Sequence, residues 1–350
     1  VVGTATFTAG AANNITLLGV NNFSTFRVIS GNNVMVSDSN GIDLGASTIS
    51  GALRVTASGD VTDSGALVVS GTAPFIVLAA NSITLDNAND FSTVTNTSGN
   101  VSMTINDING INFGSTTIGT LSVTANGAIT DSGALVISGT TTLAAGAAND
   151  ITLDIVGGNF STVVITSGNN VTLVDVNAID LGASTVSGTL SVTSSGAITD
   201  SGALIVTGTA TFAAGAGNDI NLNNANNFST VVITSGKDVT LVDTNAIDLG
   251  ASTVSGTLSV TSSGTITDSG ALVVTGTATF AAGATNDITL DNANNFSTVV
   301  ITTGKDVTLV DTNAIILGAS TISGTLSVTS SGTITDSGAL AVTGTATFAA

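Results

Sequence analysis

Aspartate is the main residue of this chain that could take part in chemistry. The sequence of 350 residues contains 23 Asp and no Glu, His or Cys, and its only cations are Arg27, Arg54, Lys237 and Lys305. Nucleophilic catalysis needs Ser, Thr or Cys beside a base, and here almost only Asp could be that base. Two carboxylates could instead form the acid and base pair of a glycoside hydrolase. The residue types therefore permit carboxylate chemistry or cation binding and little else.

The most regular acidic motif is Thr-Asp-Ser-Gly-Ala-Leu, which occurs five times. An Asp before Ser-Gly commonly accepts backbone N–H groups in a turn. The alternative is Ca²⁺ ligation by carboxylates and carbonyls, although the Gly-Gly-x-Gly-x-Asp nonapeptide of calcium-binding β-rolls is missing. Turn formation is the favoured interpretation, and the weak calcium candidates are Asp63, Asp131, Asp200, Asp268 and Asp336.

A second acidic position varies between copies of the same segment. The residues there are Asp43, Asn112, Asp180, Asp248 and Ile316. A required ligand would not be replaced by Ile. An active site is usually one irregular place, and function has to be argued from such a site. We therefore predict no enzymatic activity, no cofactor and no metal.

Tandem repetition of one segment organises the whole chain. Gly-Thr pairs begin at Gly3, Gly71, Gly139, Gly208, Gly276 and Gly344. Their spacing is about 68 residues throughout, a period typical of stacked units. We predict one continuous array over residues 1–350, with repeats 3–70, 71–138, 139–207, 208–275 and 276–343 and a partial repeat 344–350. Because the segment starts and stops within a repeat, we expect it to be an excerpt of a longer array.

The composition predicts β-structure. Good helix formers such as Glu and Gln are absent, whereas β-branched residues and the turn formers Gly, Asn, Asp and Ser are abundant. Apolar and polar residues alternate, as in Val239-Thr240-Leu241, which indicates strands with one buried face. The predicted fold is all-β, a parallel β-helix (β-solenoid) with about three coils of 22 to 23 residues per repeat.

Two series of Phe residues recur at fixed positions and are predicted to form structural ladders in the core. We expect the members of the first series to stack inward in register from repeat to repeat. The first series is Phe23, Phe91, Phe160, Phe228 and Phe296, and the second is Phe7, Phe75, Phe212, Phe280 and Phe348. Leu143 takes the place of Phe in the third repeat.

Other surface motifs have structural interpretations. Asn-Phe-Ser at Asn22, Asn159, Asn227 and Asn295 matches a glycosylation acceptor, but Asp90 in the second repeat favours a turn residue. Outward Thr-x-Thr spacing suggests ice binding, although β-propensity explains Thr adequately. Lys237 and Lys305 occupy one position in neighbouring repeats and are expected to relieve repulsion between carboxylates.

The net charge of −19 excludes nucleic acid as a partner, because a phosphate backbone needs clustered cations. No apolar run reaches the roughly 18 residues needed to span a bilayer, so membrane insertion is not expected. No signal-peptide pattern is present in the segment. Absence of Cys is compatible with an oxidising location but does not require one.

The wording of residues 256–272, Gly-Thr-Leu-Ser-Val-Thr-Ser-Ser-Gly-Thr-Ile-Thr-Asp-Ser-Gly-Ala-Leu, resembles the repeats of filamentous-haemagglutinin-like adhesins and related giant bacterial surface proteins. This resemblance covers essentially the whole chain. It implies a right-handed parallel β-helix that is secreted, lies at the bacterial cell surface and acts as a stalk or fibre.

Three classes of function remain open. The leading hypothesis is the shaft of a secreted adhesin-type surface protein, which would meet a host or environmental surface through regions outside this segment. The second is a self-assembling extracellular filament or sheath, whose partners are neighbouring repeats or copies of itself. The third is a binder of ice, calcium or glycan.

Overall fold

The protein is built entirely from short parallel strands. The computed structural model describes all 350 residues and contains 38 strands and no helix, and the strands pair in parallel, as between β4 (Val34–Asp38) and β7 (Leu53–Ala57). No helix is therefore long and apolar enough to cross a membrane. The predicted all-β parallel solenoid is confirmed. The chain divides into two compact units, Val1–Val176 and Asn177–Ala350.

The first unit contains β1 (Thr4–Thr8), β2 (Ile15–Asn21), β3 (Thr25–Ser30), β4, β5 (Ile42–Leu44), β6 (Ser47–Ile49), β7, β8 (Val61–Asp63), β9 (Leu67–Val77), β10 (Ser82–Asn96), β11 (Ser102–Asp107), β12 (Ile111–Ile118), β13 (Thr120–Ala125), β14 (Ile129–Asp131), β15 (Leu135–Ala144), β16 (Ile151–Leu153), β17 (Asn159–Ser167) and β18 (Val171–Asp175).

The second unit contains β19 (Ile179–Leu181), β20 (Ser184–Val186), β21 (Leu190–Ser194), β22 (Ile198–Asp200), β23 (Leu204–Ala213), β24 (Ile220–Ser235), β25 (Val239–Asp243), β26 (Ile247–Leu249), β27 (Ser252–Val254), β28 (Leu258–Ser262), β29 (Ile266–Asp268), β30 (Leu272–Ala281), β31 (Ile288–Thr303), β32 (Val307–Asp311), β33 (Ile315–Leu317), β34 (Ser320–Ile322), β35 (Leu326–Ser330), β36 (Ile334–Asp336), β37 (Leu340–Val342) and β38 (Ala346–Ala349).

Each coil stacks on the preceding one, and each pairing between stacked strands is one step along the solenoid. Ile15, for example, pairs with Val34 of the next coil. Seven such steps lead from β2 to β16 through β4, β7, β9, β10, β12 and β14. Because the register of these steps leads from Ile15 to Leu153, two residues past Ile151, a coil averages about 20 residues. The coils are therefore shorter than predicted, because a repeat does not divide into three of them.

Successive repeats do not face the same way. Ile15 and Ile151 are equivalent positions of the first and third repeats and lie in one column of stacked strands. Their equivalent in the second repeat, Ile83, lies in a different column, between Val61 and Met103. Two repeats thus make seven coils and one repeat makes three and a half. Each repeat is turned by about half a coil relative to the repeat before it.

The second unit repeats this relation. Seven steps lead from β21 to β35 through β23, β24, β26, β29, β31 and β32. Leu190 and Leu326 are equivalent positions two repeats apart, and Leu258, between them in sequence, stacks on Val239 in another column. The half-coil turn is thus a property of the repeat in both units.

The core within each unit is a narrow column of inward side chains. In β25 Val239, Leu241 and Asp243 are buried while the residues between them are half-buried. The same alternation is present in β32 and β18. Period-two burial follows from the pleat, which sends successive side chains to opposite faces. The coil therefore buries mainly Val, Ile, Leu and Phe.

The Phe residues point inward but do not form a continuous stack of one series. Phe228 is fully buried, and its ring lies edge-on to Phe212 with the centroids 6.1 Å apart. The residue paired with Phe228 in the preceding coil is Val206, not another Phe. The same edge-on ring contact joins Phe75 to Phe91 and Phe280 to Phe296. The half-coil turn separates successive members of one series, so the two series meet within a repeat.

Phe7, Phe23 and Phe348 are less covered than the other members of the two Phe series. Phe160 is buried, as are Leu143 and the pairs already described. Phe23 is 7% exposed and packs beside Phe7 and Phe26. Phe348 is 49% exposed. Burial of this position therefore depends on a coil stacked over it.

The third repeat carries a compensating pair of core substitutions. Leu143 is smaller than the Phe of other repeats, and two residues earlier Thr141 replaces the Ala found at Ala73, Ala210 and Ala278. Both side chains are fully buried. The hydroxyl of Thr141 has no hydrogen-bond partner. Thr is larger than Ala and Leu is smaller than Phe, so the two substitutions change the core volume in opposite directions, at the cost of an unpaired hydroxyl.

We predict that the double substitution Thr141→Ala with Leu143→Phe raises the free energy of unfolding of the third repeat by about 1–3 kcal/mol, because it removes a buried unpaired hydroxyl and restores the aromatic contact. Thr141→Ala alone should leave a void, and Leu143→Phe alone should crowd the core. A double-mutant cycle measured by chemical denaturation checks this coupling. Additive effects of the two substitutions would contradict it.

Candidate functional site: the aspartate corners between coils

The Asp of the Thr-Asp-Ser-Gly-Ala-Leu motif accepts hydrogen bonds from the next coil. Asp200 accepts the backbone N–H groups of Asn223 and Asn224 at 2.9 and 3.2 Å, and its Oδ2 accepts Nδ2 of Asn226 at 2.8 Å. The matching donors for Asp268 are Asp291, Asn292 and Asn294, and those for Asp63 are Asp86, Asn87 and Asn89. Each carboxylate thus anchors the corner stacked beside it.

A buried Asn extends this connection to a neighbouring strand. Asn226 is fully buried, its Oδ1 accepts the N–H of Leu204 at 2.7 Å, and its Nδ2 also donates to the carbonyl of Leu222. Asn89 and Asn294 make the same contacts with Leu67 and Leu272. Buried amides are tolerated when their polar atoms are paired. This Asn series was not predicted from the sequence.

The Ser and Gly that follow the Asp contact the preceding coil. Ser201 donates to Oδ2 of Asp180 at 2.5 Å, and Ser64 donates to Asp43 at 2.6 Å. A Cβ placed on Gly202 would lie 2.4 Å from the backbone N of Ala183, so only Gly fits this approach. The motif is therefore a clamp that joins the coil before it to the coil after it.

The varying acidic position belongs to this clamp. Asp248 accepts the hydroxyl of Ser269 at 2.5 Å. In the second repeat Asn112 donates to Ser132 instead, at 2.7 Å. Ile316 has no polar group and leaves the contact out of the fifth repeat. The residue at this position varies between repeats, as expected for a contact that stabilises the stacking of coils but is not required for it.

Two copies of the clamp differ from the others. Asp131 accepts the N–H groups of Asp154 and Ile155 at 3.1 and 3.4 Å, but Gly158 stands where other repeats carry the buried Asn. Burial raises the pKa of Asp131. Asp336 is exposed. The third copy thus lacks the buried Asn, and the fifth copy lacks the acidic partner of its Ser and has an exposed Asp.

A second Asp series, which the sequence analysis missed, is buried beside the Phe residues. Asp243 is 2% exposed; its Oδ2 accepts the N–H of Phe228 at 2.7 Å and its Oδ1 accepts that of Asn245 at 2.9 Å. The signal in the sequence is an Asp that follows each Phe of the first series by 15 or 16 residues. The series is Asp38, Asp107, Asp175, Asp243 and Asp311, each accepting the corresponding Phe N–H at 2.6–2.8 Å.

Burial raises the pKa of Asp107 and of Asp243, although the backbone N–H bonds oppose the shift. A carboxyl whose pKa is higher in the folded protein binds more protons there than in the unfolded chain, so the stability that it contributes is present at low pH and is lost as pH rises through the folded pKa. We therefore predict that the melting temperature rises as pH falls from about 7 toward the range just above the ordinary Asp pKa of 3.8.

The control for this pH effect compares two variants that each remove one negative charge. Asp243→Asn should reduce the rise in melting temperature, because it deletes a group with a raised pKa. Asp248→Asn also removes one negative charge, at a site that is not buried. It should leave the rise in melting temperature unchanged. Identical pH profiles for the two variants would show that general charge repulsion, rather than the buried carboxyls, controls the effect.

The two lysines lie between carboxylates of adjacent coils. Lys237 Nζ is 3.0 Å from Asp238 Oδ2 and 3.8 Å from Asp219 Oδ1. Lys305 makes the same contacts with Asp306 and Asp287. The N–H of Thr257 and then Lys237 lower the pKa of Asp238 to about 2. These exposed pairs offset repulsion between neighbouring carboxylates.

The exposed Asn residues of the Asn-Phe-Ser tripeptides stack on Asn of the next coil. Asn313 Nδ2 donates to Asn295 Oδ1 at 2.7 Å, and Asn40 donates to Asn22 at 3.4 Å. In the second repeat Asn109 donates to Asp90 in the same way, at 3.1 Å. A carboxylate can accept in place of an amide, so Asp90 fits this ladder.

No group of three or more Asp side chains converges as a metal site would require. The oxygens of the candidate Asp63, Asp200 and Asp268 already accept N–H donors. We expect the same melting temperature in chelator and in millimolar Ca²⁺. A rise of more than about 10 °C with Ca²⁺ would contradict this expectation, because a ligand of the folded state stabilises it by mass action.

One family model matches the chain, in five successive copies. Its description is repeats of unknown function (DUF5649), and the matched residues are 31–98, 98–167, 168–235, 236–303 and 304–350. No curated protein and no solved structure matches. Each family match begins between one Gly-Thr pair and the next, so the family boundaries differ in phase from the predicted repeats.

Proposed function

The chain belongs to the DUF5649 family of repeats, and we propose that it is the structural shaft of a secreted, adhesin-type bacterial surface protein. The observation that carries this proposal is the use of the recurrent polar side chains. Most of the recurrent Asp, Ser and Asn side chains of the clamp are engaged in hydrogen bonds between coils, as Asp200, Ser201 and Asn226 are. A repeat whose polar groups serve stacking supplies length and stiffness.

The proposal includes no catalysis and no cofactor. The stability of a stacked array comes from contacts between neighbouring coils. Such an array can therefore be lengthened by adding repeats, because each added coil needs only its neighbours to be buried. The resemblance to adhesin repeats supports a location outside the cell, with the adhesive region elsewhere in the protein.

Surface exposure in the bacterium that produces the protein tests this proposal. Antibodies raised against the repeats should label intact cells, and protease added outside should remove the label while a cytoplasmic marker persists. Labelling that appears only after lysis would contradict a surface shaft. Electron microscopy of the surface should then show a fibre whose length falls when repeats are deleted from the gene.

A further inference from the structure

One corner of the third repeat is built differently from its equivalents. In the fourth and fifth repeats a single strand runs unbroken through this corner, as β24 and β31 do. In the third repeat the strand is interrupted, because β16 ends at Leu153 and β17 begins at Asn159. Residues 154–158 lie between them, one residue more than the equivalent segment 223–226. We call this segment the third-repeat loop.

The third-repeat loop is an exposed turn. The N–H of Gly158 donates to the carbonyl of Ile155 at 3.1 Å, and Gly157 has a φ of 105°. A positive φ at the third position of a turn is typical of type II and favours Gly there. Val156, at the second position, is 86% exposed. Exposed turns of this kind are the preferred sites of proteolytic nicking.

Fewer side-chain hydrogen bonds hold this corner to the neighbouring coil. In the fourth repeat the buried Asn226 bonds the clamp residue Asp200 and the N–H of Leu204. Gly158 is the equivalent of Asn226 and has no side chain to make either bond. Asp131, the clamp residue of the third repeat, holds the loop through two backbone N–H groups at 3.1 and 3.4 Å. Opening the third corner therefore breaks fewer bonds than opening the fourth.

The core behind the loop is also less well satisfied. Leu143 replaces Phe in the third repeat, so the ring contact that joins Phe212 to Phe228 in the fourth repeat is absent. The buried hydroxyl of Thr141 has no partner. Both residues pair in register with β17, the strand into which the loop leads. Regions that lose few favourable contacts on opening are the ones that open locally most often.

We propose that the third-repeat loop is a proteolytic cleavage site, cut between Val156 and Gly157 by an endopeptidase of the elastase type, whose small pocket accepts a short aliphatic side chain. Water adds across the peptide bond, which leaves a carboxylate on Val156 and an amino group on Gly157. Cleavage of a folded chain requires local opening around the bond that is cut. The exposed turn supplies the side chain that is recognised, and the weakly held corner supplies the opening.

Two variants separate recognition of the side chain from opening of the corner. In the repaired variant Asn-Ala-Asn, the sequence of residues 292–294, replaces residues 155–158, so that the third corner reads like the fifth. This variant restores the buried Asn in a sequence that the fold already accommodates. The control is Ala225→Val, which places the aliphatic side chain at an exposed position of the intact fourth corner.

Limited digestion of the full chain with elastase, followed by mass spectrometry of the products, tests the proposal. Trimming of the end coils, which have a neighbour on one side only, is not counted. The first internal cut of the native chain should fall after Val156. Cutting at this corner should slow at least about tenfold in the repaired variant, because proteolysis follows the population of the open form. The Ala225→Val chain should still be cut first after Val156.

Hydrogen exchange of the native chain without protease gives an independent measure of opening. Exchange should be faster over residues 151–160 than over the equivalent residues 220–228 and 288–296. Equal exchange at the three corners would overturn the proposal. So would a first internal cut elsewhere, undiminished cutting of the repaired variant, or cutting of Ala225→Val at the substituted position as fast as after Val156.

Discussion

Replacing Phe228 by Ala should lower the local free energy of unfolding by about 3–5 kcal/mol, because it removes a fully buried ring and leaves a cavity. The ring also loses its edge-on contact with Phe212. Coils contact only their neighbours, so the loss should be confined to the fourth repeat and the coils adjoining it. Hydrogen exchange followed by mass spectrometry measures this, peptide by peptide.

The matched control for this substitution is Phe348→Ala. Phe348 belongs to the other Phe series and is 49% exposed, so its removal should cost little. Exchange that accelerates equally across all five repeats in Phe228→Ala would mean that the array unfolds as one cooperative body. Such a result would contradict stability built from neighbouring coils.

Replacing Asp243 by Ala should cost about 2–5 kcal/mol, because the backbone N–H groups of Phe228 and Asn245 lose their acceptor. The first of these hydrogen bonds is buried. Asp243→Asn keeps one acceptor oxygen and should lose less. Chemical denaturation at neutral pH, monitored by circular dichroism, compares the two variants.

A charge-matched control for Asp243→Ala is Asp248→Ala. Asp248 accepts the hydroxyls of Ser269 and Thr267 on the outer face, where water can replace it, so its loss should cost under about 1 kcal/mol. If the two Ala variants were equally stable, the buried carboxylate would be dispensable. The buried Asp residues that accept the backbone N–H groups of the Phe residues would then not stabilise the fold.

Sequence reasoning identified the stacked parallel fold because the signals for it are local. Alternation in Val239-Thr240-Leu241 indicates a half-buried strand, and the regular repetition of Asp-Ser-Gly indicates corners at fixed phase. Asp200 does accept backbone N–H groups, but those of Asn223 and Asn224 in the next coil rather than those of its own turn. The alternation and the corner motif depend on residues that are close in the chain, and the contacts of Asp200 do not.

The features that sequence reasoning missed depend on the length of a coil. A repeat of about 68 residues divides on paper into three coils of ordinary length, and nothing local distinguishes three from three and a half. The residue that pairs with Phe228 in the preceding coil could not be predicted without the number of coils per repeat. Asp243 was missed for a related reason, since it bonds a backbone group 15 residues away across the stack.

The half-coil turn between repeats also constrains how the gene can change. The nearly identical repeats make a change by whole repeats the simplest way to alter the length of the solenoid. Within one unit, gaining or losing a single repeat would turn the following coils to the opposite side of the solenoid, whereas a change by two repeats, seven coils, would restore their direction. Expansion in even steps would be silent for a directional domain, and odd steps would invert it.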